Sequence, residues 1–198
     1  MEQKSFNLIY GSKKIILSAP HSVIHKRIDS IRPSETRTGI LVKTIAHKCN
    51  TYGIYKIKNE DNDANWDENC EYKKYLGELI KNEKIKALID IHGMAHHRIQ
   101  DICIGINGGK NIQNNYKILN IIIEIFNSYG FEKVTVDIPF SASYKNCVSN
   151  YIAKKYNIPS FQIEINLKYR SSKYPEYEKY KELYEALQKI VESLDKQL

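Results

Sequence analysis

The stretch ALIDIHG, residues 87–93, decides the fold, because it reads as a buried strand interrupted by an acid and a histidine. Strands that are buried on both faces of a sheet are almost continuously apolar. Because side chains alternate between the two faces of a strand, Asp90 and His92 share one face. A buried carboxylate is costly without a partner, so this pair indicates a polar site built into the sheet.

Two other apolar stretches carry polar residues of the same kind. The stretch IILSAP, residues 15–20, is followed directly by His21, and the stretch FQIEIN, residues 161–166, places Glu164 on its polar face. Histidine and carboxylate side chains are preferred ligands of divalent zinc. The three stretches together predict a divalent metal site, most simply a site for one zinc ion.

Extended and helical patterns alternate along the chain, which predicts an α/β fold, a three-layer sandwich with a largely parallel (mixed) central sheet. Strands are expected at about 6–10, 14–19, 54–57, 87–92, 101–106, 134–138 and 161–166, and helices at about 34–50, 71–82, 112–129, 147–156 and 177–194. The first two strands are expected to form a hairpin around Gly11 and Ser12, and Ser34 is the expected N-cap of the first helix. Sites in such sheets form at the carboxyl ends of the strands, where His21 and His92 lie.

Length and composition are those of an ordinary globular protein. The 198 residues, 42% hydrophobic and 27% charged, contain no internal repeat or linker and fit one domain, residues 1–198. No apolar run approaches the ~20 residues that cross a bilayer, and the start, residues 1–5, lacks the apolar stretch of a secretory signal. We therefore expect a cytoplasmic protein without a membrane partner. Its four scattered cysteines, Cys49, Cys70, Cys103 and Cys147, are expected to be reduced and mostly packed.

The net charge of +7 raises the question of a nucleic-acid partner. The lysines are spread along the chain, often beside glutamate, and there is no arginine-rich block. This pattern favours a solvated basic surface over a nucleic-acid interface. A basic surface attracts small anionic molecules, so we expect a small-molecule anionic substrate; the sequence leaves the oligomeric state open.

The third metal ligand is open at this stage, because several residues fit. Glu35 lies near the start of the first predicted helix, where an acid also commonly complements the helix dipole. His92 and His96 are four residues apart, which makes a metal pair on a helix, but Gly93 argues against a helix there. Asp90 is a candidate for orienting or polarising the site through contact with a metal ligand, without binding the metal itself.

The order of these segments resembles that of the N-formylglutamate amidohydrolase family, which is similar in fold and chemistry to zinc carboxypeptidases and aspartoacylases. The resemblance rests on Pro20-His21-Ser22, Ser34-Glu35, Asp63-Ala64-Asn65, Asp90-Ile91-His92-Gly93-Met94, Gly105 to Gly109, and Phe161 to Asn166 followed by Tyr169-Arg170. It implies a phosphorylase/hydrolase-like α/β sandwich. It also implies a zinc-dependent hydrolase that cleaves an amide bond of a small N-acyl amino acid or peptide-like substrate. A metallocarboxypeptidase-like peptidase or deacylase, and a binding module that kept the fold but lost turnover, are the alternatives.

The resemblance also implies roles for individual residues. His21, Glu35 and His92 would hold the zinc ion, and Glu164 would act as the general base, with Asp90 the next catalytic candidate.

One departure from the family pattern concerns substrate binding. Asn65 is followed by Trp66 where the pattern has an arginine that engages the substrate. We therefore expect Arg98 or Arg170 to bind an anionic group of the substrate in its place, together with Asn65.

Overall fold

The computed structural model describes residues 4–198, which form one seven-stranded sheet with helices on both faces and a separate two-stranded hairpin. Residues 1–3, on which the expected lack of a secretory signal partly rests, lie outside the described range. The strands are β1 Phe6–Ile9, β2 Lys13–Ala19, β3 His25–Arg27, β4 Ser30–Arg32, β5 Thr51–Lys56, β6 Ala87–Met94, β7 Ile102–Gly105, β8 Val134–Val136 and β9 Ser160–Asn166. The helices are α1 Thr38–Cys49, α2 Glu71–Glu83, α3 Tyr116–Ser128, α4 Val148–Tyr156 and α5 Tyr180–Gln197, with short 3-10 helices at Lys110–Ile112, Leu167–Tyr169 and Pro175–Lys179.

The seven strands lie in the order β1-β5-β2-β6-β9-β7-β8, and the central strands β5, β2, β6 and β9 are parallel. Strand β1 is antiparallel to β5, and β7 is antiparallel to β9. The predicted α/β fold with a largely parallel, mixed sheet is therefore confirmed. The predicted hairpin of the first two strands is wrong, because β5 lies between them. The turn at Gly11 and Ser12 instead carries the chain past the start of β5, where Ser12 N donates to Asn50 O.

Helices α1, α3 and α5 cover one face of the sheet, and α2 and α4 cover the other. Alternate side chains of the strands divide between the two layers: Leu17 and Ile89 pack towards α1, whereas Ile16 and Leu88 pack towards α2. Each such fully buried aliphatic side chain contributes ~1.5–3 kcal/mol to the hydrophobic term. Asp90 has the same parity as Leu88, so the polar face of β6 looks towards α2 and α4.

The first helix begins later than predicted. It starts at Thr38, and Ser34 is not its N-cap; Arg37 holds that position in a left-handed conformation with φ 64°. Glu35 lies in the turn before the helix, where its N–H donates to His21 O at 2.8 Å. This hydrogen bond ties the turn to the end of β2, so the Glu35 side chain is not directed along a helix surface but across the edge of the sheet.

Residues 20–33, for which the sequence predicted neither a strand nor a helix, contain the hairpin β3–β4. His25 pairs with Arg32 and Arg27 pairs with Ser30. By the alternation of strands, His25, Arg27 and Arg32 share one face of this hairpin, and Ile31, which is 77% exposed, lies on the other. The three-residue strands are too short and too polar to produce a strand pattern in the sequence.

Two further sequence-based expectations concern the cysteines and membrane spans. Cys49, Cys70, Cys103 and Cys147 are all buried and free, as predicted. Among residues 4–198, no helix combines the length and the apolar character needed to traverse a bilayer.

Candidate metal centre

Three side chains from separate elements converge at the carboxyl ends of β2 and β6. His21 follows β2, Glu35 lies in the turn before α1, and His92 lies near the end of β6. The Nδ1 atom of His21 lies 3.0 Å from Glu35 Oε1, and the Nδ1 atom of His92 lies 3.1 Å from Glu35 Oε2. One ligand atom from each of the three residues lies within 4.8 Å of the others. The structure thus brings together the three residues that the resemblance implied as zinc ligands.

The opposite ring nitrogen of each histidine faces a buried carboxylate. His21 Nε2 lies 2.7 Å from Asp63 Oδ1, and His92 Nε2 lies 3.1 Å from Asp90 Oδ2. A carboxylate partner holds the proton on Nε2 and leaves the Nδ1 lone pair free for a metal ion. The donor set is therefore two imidazole nitrogens and one carboxylate oxygen, and a carboxylate at Nε2 orients each histidine ring. Such a set suits zinc.

The charges around the centre shift the pKa values of its members in opposite directions. Burial lowers the pKa of His21 and His92, but the nearby Glu35 carboxylate and the carboxylates behind the rings outweigh burial, so both pKa values are raised. Burial alone would raise the pKa of Glu35, but the two histidines hold it below its usual range. Positive charge is thus strongly favoured between these three side chains, and a divalent cation supplies it while displacing the ring protons.

A second group of potential ligands, His21, His25 and Asp63, fits a metal less well. The His25 ring is stacked on the His21 ring with centroids 3.9 Å apart, and burial lowers the pKa of His25 to about 4. Asp63 Oδ2 already accepts a hydrogen bond from Arg27 Nε at 2.7 Å. A cation bound to this group would lie beside a guanidinium, so the His21, Glu35 and His92 group is the better candidate.

Glu164 lies beside His92, in register with it on the neighbouring strand β9. It is 5% exposed, and its Oε1 accepts a hydrogen bond from Gln162 Nε2. Burial raises the pKa of Glu164 to about 7, although the positive charge of His92 opposes the shift. A carboxyl group with a pKa in this range can both accept and return a proton near neutral pH.

The centre lies in a cleft of about 760 Å³ that Glu164, Gln162 and Asn65 also line. The hairpin β3–β4 forms one wall. Trp66 and Tyr144, stacked with ring centroids 4.6 Å apart, line it as well. The cleft is thus large enough for a small organic molecule and combines polar groups with an aromatic surface.

The predicted catalytic residue Asp90 is fully buried and does not line the cleft. Its Oδ2 faces His92 Nε2, so it acts on the histidine and not on a substrate. Asn65, predicted to bind substrate, lines the cleft, but its Oδ1 accepts from Val148 N at 2.8 Å and its Nδ2 lies 3.0 Å from His92 Nε2. Because His92 Nε2 carries the proton that faces Asp90, the Asn65 amide packs beside this nitrogen, and its hydrogen bond is the one from the first residue of α4.

The two arginines predicted to bind substrate differ in their position relative to the cleft. Arg98 is exposed, lies over the ring of Phe140 and is not among the residues that line the cleft. Arg170 lines the cleft but is 2% exposed, because its nitrogens donate to the carbonyl oxygens of Ile165, Met94 and Thr36. Its guanidinium thus fastens the ends of β6 and β9 to the segment that carries Glu35, and few of its donors remain for a substrate.

The alternative metal pair, His92 with His96, is not formed. Strand β6 extends to Met94, so no helix places the two side chains on one face. His96 is exposed and stacks on Tyr174 with ring centroids 5.0 Å apart.

Two residues of the site were missed by the sequence analysis as functional candidates. Asp63 was quoted only as part of the Asp63-Ala64-Asn65 segment, and Arg27 was not singled out at all. Both lie outside regular apolar patterns, Asp63 in a loop and Arg27 in the short hairpin, so no periodicity marks them.

The fold of the chain recurs among solved structures, several of which are named as hydrolases. No protein-family model and no curated protein matches the chain. Among solved structures it is similar to N-formylglutamate amidohydrolase from Ralstonia eutropha JMP134, with a TM-score of 0.70 and 12% identity over 98% of this chain and 99% of that one.

Two further solved structures share this fold. The chain is similar to a bacteriophage poly-gamma-glutamate hydrolase, with a TM-score of 0.57 and 13% identity over 100% of this chain and 93% of that one. It is also similar to a metallo-carboxypeptidase from Burkholderia cenocepacia, with a TM-score of 0.58 and 10% identity over 98% of this chain and 61% of that one. The resemblance inferred from sequence is thus confirmed for the fold.

Proposed function

We propose that the protein is a zinc-dependent hydrolase that cleaves an amide bond of a small N-acyl amino acid or peptide-like substrate. The observation that carries the proposal is the convergence of His21, Glu35 and His92 beside Glu164 in one cleft. The shared fold with an amidohydrolase and a metallo-carboxypeptidase supports it.

Different residues of the chain would have different roles in such a reaction. His21, Glu35 and His92 would hold the ion, which when bound supplies Lewis-acid chemistry by acidifying water and polarising a carbonyl oxygen. Asp63 and Asp90 keep both histidines in the tautomer that binds metal through Nδ1.

Glu164 would move the proton. Its Oε1 is held by Gln162, and the carboxylate faces the cleft next to His92. It would accept a proton from the attacking water and return it to the nitrogen of the leaving amine. In the metal-free protein burial raises the pKa of Glu164 to about 7, and a cation bound beside it would favour the carboxylate that accepts the proton.

The test is a comparison of zinc content and turnover in Glu164→Gln. This variant keeps the shape and hydrogen-bonding capacity of the side chain but removes the proton acceptor. It should bind zinc like the wild type and lose ~100-fold or more in kcat. The matched control is Glu124→Gln, which changes an exposed glutamate on α3.

The substrate panel contains N-formyl and N-acetyl amino acids, a γ-glutamyl peptide and α-peptides with a free carboxyl end. Hydrolysis of the α-peptides alone would favour the metallocarboxypeptidase-like alternative. Zinc binding without hydrolysis of any amide would favour a binding module. Loss of zinc in Glu164→Gln would make Glu164 a ligand, and full activity in that variant would contradict its role as base.

A further inference from the structure

Arg27 presents a guanidinium to the cleft with part of its donor capacity unused. Its Nε donates to Asp63 Oδ2 at 2.7 Å, and the side chain is 32% exposed. Within residues 4–198, neither Nη atom has a hydrogen-bond partner in the protein. A guanidinium carries five N–H donors in a rigid plane, so the outer edge of this one is free for an oxyanion.

The position of this guanidinium is fixed from two sides. Asp63 is fully buried and is itself held by His21 Nε2 and by Asn65 N, both on Oδ1. The guanidinium carbon of Arg27 also lies 5.4 Å from the centre of the Trp66 ring, within the range of a cation–π contact. Little side-chain entropy therefore remains to be lost when an anion binds.

The hairpin face that carries Arg27 adds a second positive charge. Arg32 shares this face and also lines the cleft. Of the acidic residues that line the cleft, Glu35 belongs to the candidate metal centre and Glu164 lies beside it. The cleft thus has a catalytic end and a basic wall, and one buried carboxylate, Asp63, touches both.

We propose that Arg27 binds a carboxylate of the substrate and so determines the specificity of the enzyme, in place of Arg98 or Arg170. This inference rests on the proposed function, because it takes the substrate to be an N-acyl amino acid or peptide-like acid. Asp63 bridges Arg27 and His21, so the carboxylate position and the metal position are held in a constant relation. The preferred substrate is then an amide whose carboxylate reaches the hairpin wall while its acyl carbonyl lies at the metal centre.

The experiment is calorimetric titration of N-acetyl-L-glutamate and of its uncharged dimethyl ester into the protein, with zinc and after removal of metal by a chelator. We expect the acid to bind both forms and the ester to bind at least about 10-fold more weakly, because charged hydrogen bonds are lost. Arg27→Gln should weaken binding of the acid by about 10- to 100-fold and leave binding of the ester unchanged. Arg27→Lys keeps the charge but not the fork, so its affinity should lie between the two.

The control variant is Arg98→Gln, whose side chain lies outside the cleft and which should bind the acid like the wild type. Thermal melting and zinc content of each variant show whether the Asp63 network survives. Wild-type affinity in Arg27→Gln, equal affinity for acid and ester, or no binding of the acid at about 10 mM would overturn the proposal. Binding through Arg27 in metal-free protein, with no amide hydrolysed, would leave this inference standing while the proposed function fails.

Discussion

Replacing Asp63 by asparagine tests whether metal binding at the candidate centre depends on a residue outside the proposed ligand set. The Asp63 carboxylate accepts hydrogen bonds from His21 Nε2, Asn65 N and Arg27 Nε. Asparagine keeps one oxygen for His21 but places an amide N–H₂ against the Arg27 donor and removes the negative charge. Loss of such a carboxylate behind a metal-binding histidine typically weakens metal affinity ~10–100-fold, so we expect a shift of that size in the zinc Kd.

The same substitution should also lower the stability of the metal-free protein. A buried hydrogen bond to a charged group contributes about 1.5–3 kcal/mol, so Asp63→Asn should lower the free energy of unfolding by roughly that amount. Burial raises the pKa of Asp63, but hydrogen bonds from His21 and Arg27 reverse this and hold it below 3.8, its ordinary value. A carboxyl group whose pKa is lower in the folded chain than in the unfolded chain stabilises the fold at pH values above the unfolded-state pKa. This stabilisation is lost as the pH falls towards the folded-state pKa. The stability difference should therefore shrink below about pH 4.

The assay is zinc competition with a chromophoric chelator, combined with urea unfolding at several pH values. Asp61→Asn is the matched control, because Asp61 is exposed on the same loop. An unchanged zinc Kd in Asp63→Asn, or an equal loss in Asp61→Asn, would refute the idea that the carboxylate acts by orienting His21.

Four further outcomes follow from the same geometry. His92→Ala should abolish zinc binding, measured by elemental analysis, whereas His96→Ala should leave about one zinc per chain; the reverse result would restore the helical histidine pair. Zinc binding at pH 7 should release more than one proton per ion, measured by calorimetry in buffers of different ionisation enthalpy. The reason is that the pKa values of His21 and His92 are raised in the metal-free protein, so both rings carry protons that zinc must displace. For the same reason the zinc affinity should fall as the pH falls below those pKa values. Tyr72→Phe should lower the free energy of unfolding by about 1–3 kcal/mol in urea, because its fully buried hydroxyl bonds to the end of β2 and to β5. Gly93→Ala should be destabilising by about 1–3 kcal/mol in the same assay, because a Cβ there would meet the buried guanidinium carbon of Arg170.

Much of the sheet could be predicted because the inner strands have a clear hydrophobic pattern in the sequence. Residues 87–94 are apolar except for Asp90 and His92, residues 160–166 alternate polar and apolar side chains, and the observed bounds differ little from the expected ones. Strand pairing could not be read in the same way. Gly11 and Ser12 satisfy the local rule for a hairpin, but the insertion of β5 is decided by contacts with residues some 40 positions away, which local patterns do not encode.

In the candidate site, residues at the ends of regular strands could likewise be predicted, whereas residues on irregular segments could not. The convergence of His21 and His92 follows from strand ends meeting at one edge of a parallel sheet, so their proximity could be expected. The roles of Asp63 and Arg27 depend on the paths of irregular segments, where no periodicity fixes which way a side chain points. For Arg170 the sequence predicted contact with substrate from its position after the Glu164 strand, but it could not show that backbone carbonyl oxygens accept hydrogen bonds from the guanidinium.

The position of β9 in the sheet links completion of the fold to completion of the site. Strand β9 lies between β6 and β7, although it follows both of them along the chain. Until β9 pairs with them, the facing edges of β6 and β7 have no hydrogen-bond partners. Unpaired strand edges are prone to aggregation, and pairing between strands distant in sequence is slow. The strand that pairs with both edges carries Glu164. Residues 4–159 therefore contain the three candidate ligands but not Glu164, so the proposed base joins the candidate site only when β9 completes the sheet.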